Sequence, residues 1–298
     1  MFDIIKRKNL FLMIGSITVA LCIATIAVLG LNAGIDFTGG SIVDVQSETC
    51  AQDNCEDFLR SVFLDKGIEV HSVVKSGEND FQVKTKAITQ EQWTDVKSKL
   101  SEEYPDFTEQ SFETIGPTLG QELLRKTAVA IFVASVLLLI YIAWRFEERI
   151  YGVAAVVAMI HDILVILATF AIFGKLWDVE IDVMFVTAAL TSIAFSVHDT
   201  IVLYDRVRET LRRNPKSDFP HVVNLGINST IVRSLSTSLT IVLVLTALML
   251  LGGENIRWFV AALIVGTLTG VYSSPFIAAP LVVFLKEKMG KKKGLLKG

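Results

Sequence analysis

Cysteine is scarce: Cys22, Cys50 and Cys55 are the only three among 298 residues, and no two of them form a CxxC. Zinc-cluster and CxxC redox readings therefore fall away. No glycine-rich phosphate loop, metal-ligating cluster or nucleophile constellation is legible either. The sequence thus points away from an enzyme and calls for no metal or cofactor; any ATP used alongside this chain is consumed by another protein. A positive excess is also missing, since 28 Lys and Arg stand against 31 Asp and Glu. That balance, and the way it divides along the chain, argues against a nucleic-acid partner.

What the sequence has instead is apolar length. It is 52% hydrophobic with a mean hydropathy of +0.53, above the roughly 45–50% apolar share usual for soluble domains. The excess lies in six runs, at 10–30, 127–145, 150–173, 182–204, 229–251 and 258–285. Each reaches the ~20 residues that a helix needs to cross a bilayer. The last is long enough to tilt, or to end in an interfacial turn at Pro275 or Pro280.

Lys and Arg orient the runs. With the N-terminus inside, four inner segments hold Lys6, Arg7 and Lys8; Arg145 and Arg149; Arg206, Arg208, Arg212, Arg213 and Lys216; and six lysines between Lys286 and Lys297. The two short outer loops hold only Lys175 and Arg257. This bias predicts both termini on the cytoplasmic side. The first run is longer than a cleavable signal needs and reads as a retained anchor.

Residues 31–125 read as a soluble outer domain with 18 of the 31 acids and 8 of the 28 bases. "SIVDVQ" (41–46) alternates as a strand, and "CEDFLRSVFLDKG" (55–67) is an amphipathic helix stopped at Gly67. Strands at 68–74 and 80–86, a Thr89-capped helix over 89–104 and a strand over 107–115 complete the order βαββαβ. That order predicts a ferredoxin-like α+β domain between the first two of six transmembrane helices. The expected division is 1–30 (N-terminus and first helix), 31–125 (outer domain), 126–286 (helices two to six) and 287–298 (basic tail). Cys50 and Cys55 fall in the outer domain, where a disulfide or two free thiols are both open.

Two glycine-marked stretches flank that domain. "GIDFTGG" carries Gly34, Asp36, Gly39 and Gly40, and "IGPTLGQEL" carries Gly116, Pro117 and Gly120. They read as tight turns or as joints that let the domain move as a body. "DRVRETLRRNPKSDFPHVVNLGIN" (205–228) opens with a basic helix expected to lie along the cytoplasmic surface, with Asp205 and Glu209 within reach of Arg208 or Arg212.

Within the apolar runs stand His161 and Asp162, His198 and Asp199, and Arg233. An ionised side chain at the bilayer centre costs about 2.5–3.5 kcal/mol or more. Arg233 can snorkel, but the short Asp199 side chain cannot do so as easily. A lasting Asp199–Arg233 bridge and a protonated Asp199 are both inexpensive solutions. A proton carrier needs access to the two in turn. His161 beside Asp162 is either a packed histidine or a relay.

"GIDFTGG" after the first run, "IGPTLGQEL" before the second, "HD" in the third, "SVHDTIVLYDRVRE" closing the fourth and "NSTIVRSLSTSLT" opening the fifth together resemble the SecD/SecF protein-export family, on its smaller SecF side. The family belongs to the resistance-nodulation-division superfamily. The resemblance implies a multi-pass protein of the bacterial inner membrane that uses the proton-motive force to move an outer domain, helping to draw a preprotein from the SecYEG channel. It implies a SecD-like subunit, SecYEG, the translocating preprotein and protons as partners within the lipid bilayer, with YajC as an optional addition. It assigns proton coupling to Asp199 and Arg233. His198 stands where the family commonly has asparagine, which places a titratable imidazole beside Asp199. A proton-coupled exporter of small molecules or lipids and a purely structural translocon subunit are the alternatives. The absence of a second large outer loop weighs against the exporter.

Overall fold

The structure is a computed structural model that describes residues 3–50, 54–75, 77–146 and 148–295. The first span, α1 (Lys8–Leu29), follows a 3-10 turn at Ile5–Arg7 and delivers the chain to a single helical turn, α2 (Ile35–Thr38). The elements β1 (Gly40–Gln46), α3 (Cys55–Asp65), β2 (Val70–Lys75), β3 (Asp80–Thr85), α4 (Gln90–Glu103) and β4 (Thr108–Ile115) come next. The sheet is antiparallel in the order β2-β3-β1-β4, the ferredoxin-like arrangement. Strict alternation in β3 buries Phe81 and Val83 against Leu59 and Phe63 of α3 and Trp93, Val96 and Leu100 of α4. A capping box between Thr89 and Gln92 starts α4. Cys50 and Cys55 are joined in a disulfide.

Five further spans follow: α5 (Pro117–Phe146), α6 (Arg149–Trp177), α7 (Val183–Arg213), α8 (Phe219–Leu251) and a sixth running Ile256–Met289. The sixth is built from α9 (Glu254–Ser273), a π-helical turn at Ser274–Ala278 and α10 (Ala279–Leu295). Neither Pro275 nor Pro280 ends it. The wider π turn takes up the proline ring and the helix continues. Residues 205–213, expected as a surface helix, instead prolong α7 without a break, so the connection to α8 is only 214–218. Asp205 pairs with Arg145 of α5 at 2.9 Å, while Glu209 pairs within α7 with Arg206 and Arg213 rather than with Arg208 or Arg212. The basic tail predicted over 287–298 begins as α10, and Lys297 lies outside the described residues.

The spans are not equivalent. The third, fourth and sixth bury 44, 39 and 56% of their apolar windows, against 11, 6 and 6% for the first, second and fifth. The bundle core is therefore α6, α7 and α9. Small residues let α7 and α9 touch: a Cβ on Gly266 would overlap Ser192, and one on Gly270 would come within 2.8 Å of the Ser196 Cβ. A Gly-xxx-Gly pair thus meets a Ser-xxx-Ser pair, the small-residue contact that van der Waals packing favours in lipid.

The two glycine-marked stretches flanking the α+β domain form one packed knot. Gly39 has φ +78°, and a Cβ there would lie 2.7 Å from the Cα of Pro117; a Cβ on Gly120 would lie 2.9 Å from the backbone of Gly39 and of Phe37. Gly116, by contrast, faces open space. The knot is tied to the start of α7. Gly34 N–H donates to Ile181 O (2.8 Å), and Ile181 N–H donates to Asn32 O (2.7 Å). Val183 N–H donates to the Asp36 carboxylate (2.9 Å), and Lys84 of β3 pairs with Glu180 (2.8 Å). Asp182 caps α7 by accepting from Phe185 N–H (2.7 Å). Burial pushes the Asp182 carboxyl above the usual carboxylate range, and the neighbouring Asp36 charge adds to the effect.

Gly270→Leu is expected to force α9 off α7 and to cost about 1–3 kcal/mol or more. The thermal unfolding midpoint of the detergent-solubilised protein should fall by several degrees, while Gly116→Ala leaves it unchanged; equal midpoints for all three proteins would refute the contact. A raised folded pKa means that stability tied to Asp182 is present below the ordinary carboxylate pKa and lost as pH rises through the raised value. Asp182→Asn keeps the cap but has no proton to lose. Its midpoint should therefore decline less than the wild-type midpoint between about pH 4 and pH 7.

Candidate functional site

Asp199 stands on α7 six residues before Asp205, the first of the charged residues that end the helix, hence about 9 Å inside the apolar run. It is half-buried and lines a cavity of about 200 Å³ between α7, α8 and α9, together with Ser196, His198, Thr237, Ser238 and Gly270. Gly270, required for the α7–α9 contact, also forms part of this wall. Arg233 lies one turn before Thr237 on α8 and is exposed. Asp199 therefore has His198 and Arg233 as its charged neighbours, yet no hydrogen bond or ion pair joins it to either among the described residues. The lasting bridge offered by the sequence is not present. The carboxylate sits in a recess whose largely apolar wall, with Phe195, Ile241 and Val271, is interrupted by hydroxyls, and a guanidinium is nearby, so it can ionise towards Arg233 or hold a proton in the cavity.

His161 and Asp162 lie elsewhere, in the core. Both are almost fully buried, at 2% and 1% exposure. His161 Nδ1 is 3.0 Å from Asp162 Oδ1. The other carboxylate oxygen accepts hydroxyls from Ser196 of α7 and Ser273 of α9 (2.8 Å for the latter). Thr200 and Ser274 pair at 2.8 Å one turn further along, where the π turn begins. A buried carboxylate is tolerated when its lone pairs are filled in this way. Ser196 belongs to both groups, since it walls the Asp199 cavity and donates to Asp162.

These hydroxyl partners carried no signal of their own in the sequence. Serine and threonine are common in membrane helices, and only their spacing marks them: Ser196 and Thr200 share a face at i, i+4, as do Gly266 and Gly270 in "GTLTG". A second polar face is exposed. Thr187, Thr191 and His198 on α7, and Ser229, Arg233, Ser236, Thr237 and Thr240 on α8, follow helical spacing along two adjacent spans. The remaining sequence-predicted residues, Gly34, Asp36, Gly39, Gly40, Gly116, Pro117 and Gly120, stay in the knot at the far end of α7. Val183, which the Asp36 carboxylate holds, is sixteen residues from Asp199, about 24 Å along the helix.

Comparison with known proteins agrees with this layout. Residues 95–288 match the family model of the protein export membrane protein SecD/SecF, C-terminal, and residues 25–49 match the SecD/SecF GG motif. The protein translocase subunit SecF of Thermobaculum terrenum is 36% identical over 97% of this chain and 95% of its own length. The protein translocase subunit SecDF of Bacillus subtilis is 36% identical over 96% of this chain, which spans only 38% of that longer protein. The crystal structure of SecDF from Thermus thermophilus, a translocon-associated membrane protein, superposes with a TM-score of 0.83 at 30% identity, covering 96% of this chain and 39% of that one. Fold, motif positions and these matches together make the chain a member of the SecD/SecF family of protein-export membrane proteins, on its SecF side.

Proposed function

We propose that this chain is the SecF-type subunit of an accessory complex that couples proton movement at Asp199 and Arg233 to displacement of the α+β domain, assisting preproteins through the SecYEG channel. The observation that carries the reading is the half-buried Asp199 carboxylate, held inside an apolar span beside the hydroxyls of Ser196, Thr237 and Ser238 and without a hydrogen-bond or ion-pair partner among the described residues. Such a group has no packing task to perform, and intramembrane carboxylates are functional by default. The chain transports rather than transforms, so no covalent chemistry is assigned to it.

A SecD-like subunit is the proposed partner, with SecYEG and YajC beyond it. The polar face of α7 and α8 supports this, because the exposed Arg233 and His198 on it would be costly facing lipid. A homologous span covering them would let Arg233 and His198 remain in place. SecDF of Bacillus subtilis, which carries both names in one chain, points the same way. The excess of Lys and Arg at one set of loops supports cytoplasmic termini and an outer α+β domain in the inner membrane. The Cys50–Cys55 disulfide favours an oxidising compartment for that domain. The short connections after α6 and α8 leave little outer chain to build a small-molecule pocket, which disfavours the exporter.

Inverted membrane vesicles holding the chain, a SecD-like subunit and SecYEG test the reading. With a preprotein stalled part-way and ATP removed, a proton gradient should drive completion in wild type. Asp199→Asn should fall to the level without a gradient, although it inserts and co-purifies with its partner normally. Equal completion by the two proteins would leave Asp199 a packing residue and the chain a scaffold. Arg233→Met should lose gradient-driven completion as well; retained completion would mean that Arg233 only anchors α8.

A further inference from the structure

We infer that Asp162 and His161 form a second proton-carrying station, joined to Asp199 by the Ser196 hydroxyl, so that the proton path runs sideways through the bundle core from the α7–α8 face to the α1–α10 face. This deepens the reading above and rests on it. Three observations on separate elements carry it. Among the described residues, Ser196 is the one side chain that both walls the Asp199 cavity and donates to Asp162. Asp162 is the meeting point of three spans, holding a hydroxyl from α7, a hydroxyl from α9 and the imidazole beside it on α6. His161 then presents Nε2, buried and without a hydrogen-bond partner among the described residues.

That nitrogen is itself buried, but the His161 side chain borders open space. His161 lines a gap of about 570 Å³ between α1, α6 and α10, whose polar side chains are Asn9 and Ser16. Asn9 is in the first turn of α1, beside Lys8 and the charged end of the bundle. An imidazole with one nitrogen beside a carboxylate, on a side chain that borders a gap of this size, can exchange a proton there once a small ring movement brings Nε2 to it. A histidine kept only for packing would have both nitrogens satisfied, since an unmet buried donor or acceptor costs about 1–3 kcal/mol.

The transfer balances with protons alone. Asp199 and Ser196 wall the same cavity without a direct hydrogen bond, so a proton leaving Asp199 reaches the Ser196 oxygen through a water in that cavity as the Ser196 hydroxyl gives its own proton to Asp162. The neutral Asp162 acid passes a proton across the Oδ1–Nδ1 contact, and the imidazolium releases one from Nε2 into the gap. His161 starts with its proton on Nε2 and is left with one on Nδ1. A flip of the ring turns Nδ1 to the gap, where exchange with water of that proton for one on Nε2 restores the starting tautomer, and a second flip returns Nδ1 to Asp162. One proton enters and one leaves, and no electrons move. The titratable groups around this line are Asp199 and His198 on α7, Asp162 and His161 on α6, and Tyr272 on α9, whose ring lies 6.2 Å from that of His161.

The same vesicles test the inference, with a pH-sensitive dye following proton movement alongside preprotein completion. Ser196→Ala should reduce both gradient-driven completion and coupled proton movement at least tenfold, with insertion and partner binding intact. Thr200→Val removes a buried hydroxyl one turn away that does not touch Asp162, and should retain both activities. A structural role would make the two variants alike and would leave proton movement per completed preprotein unchanged. His161→Gln, which keeps a hydrogen-bonding group but cannot form a cation, should lose both activities, and it decides the matter if Ser196→Ala fails to insert. Retained activity in Ser196→Ala or His161→Gln, beside a dead Asp199→Asn, overturns the second station alone. Retained activity in Asp199→Asn overturns the underlying proton-coupling reading.

Discussion

The close approach of α7 to α9 is the constraint on which the rest of the membrane part depends. Lipid supplies no hydrophobic drive for helices to associate, so contact must come from packing and from polar groups that find partners. Gly266 and Gly270 let the backbone of α9 lie against Ser192 and Ser196. This single contact brings Ser273 of α9 and Ser196 of α7 onto the same carboxylate oxygen of Asp162, and leaves beside Gly270 the recess that Asp199 lines. Larger side chains at either glycine would close the recess and part the hydroxyls together.

The outer domain was legible for a simple reason. In β1 and β3 every second residue is buried, so the period of two stands out, and Thr89 with Gln92 announces the start of α4. The spans were legible by length, and Asp199, Arg233, His161 and Asp162 by the contrast of charge against an apolar background. Ser196, Ser273 and Thr200 were not, because hydroxyls are cheap in a membrane helix and their partners lie on other spans. The π turn at Ser274–Ala278 hid behind Pro275, which reads as a stop. Residues 205–213 misled because a basic amphipathic stretch looks the same whether it bends along a surface or carries a span straight into water.

The domain and the bundle are joined more tightly than their two covalent links require. Backbone hydrogen bonds from Asn32 and Gly34 reach Ile181, the Asp36 carboxylate holds Val183, and Lys84 reaches across from β3 to Glu180. All of these end on the loop that leads into α7 or on its first turn. The span that carries Asp199 is therefore also the one that the foot of the domain grips.

Because α7 is unbroken from Val183 to Arg213, it acts as a stiff lever. Its fulcrum is the seat of Ser192 and Ser196 against the α9 glycines, and Asp199 lies within one turn of it. The Asp36 grip lies at the far end of the long arm. A rocking of roughly 5° at the fulcrum carries Val183, about 14–20 Å away along the helix, through about 1–2 Å, since a helix rises 1.5 Å per residue. Under the proposed coupling, a displacement at Asp199 too small to disturb the core would be enlarged along this arm before it reaches the foot of the domain.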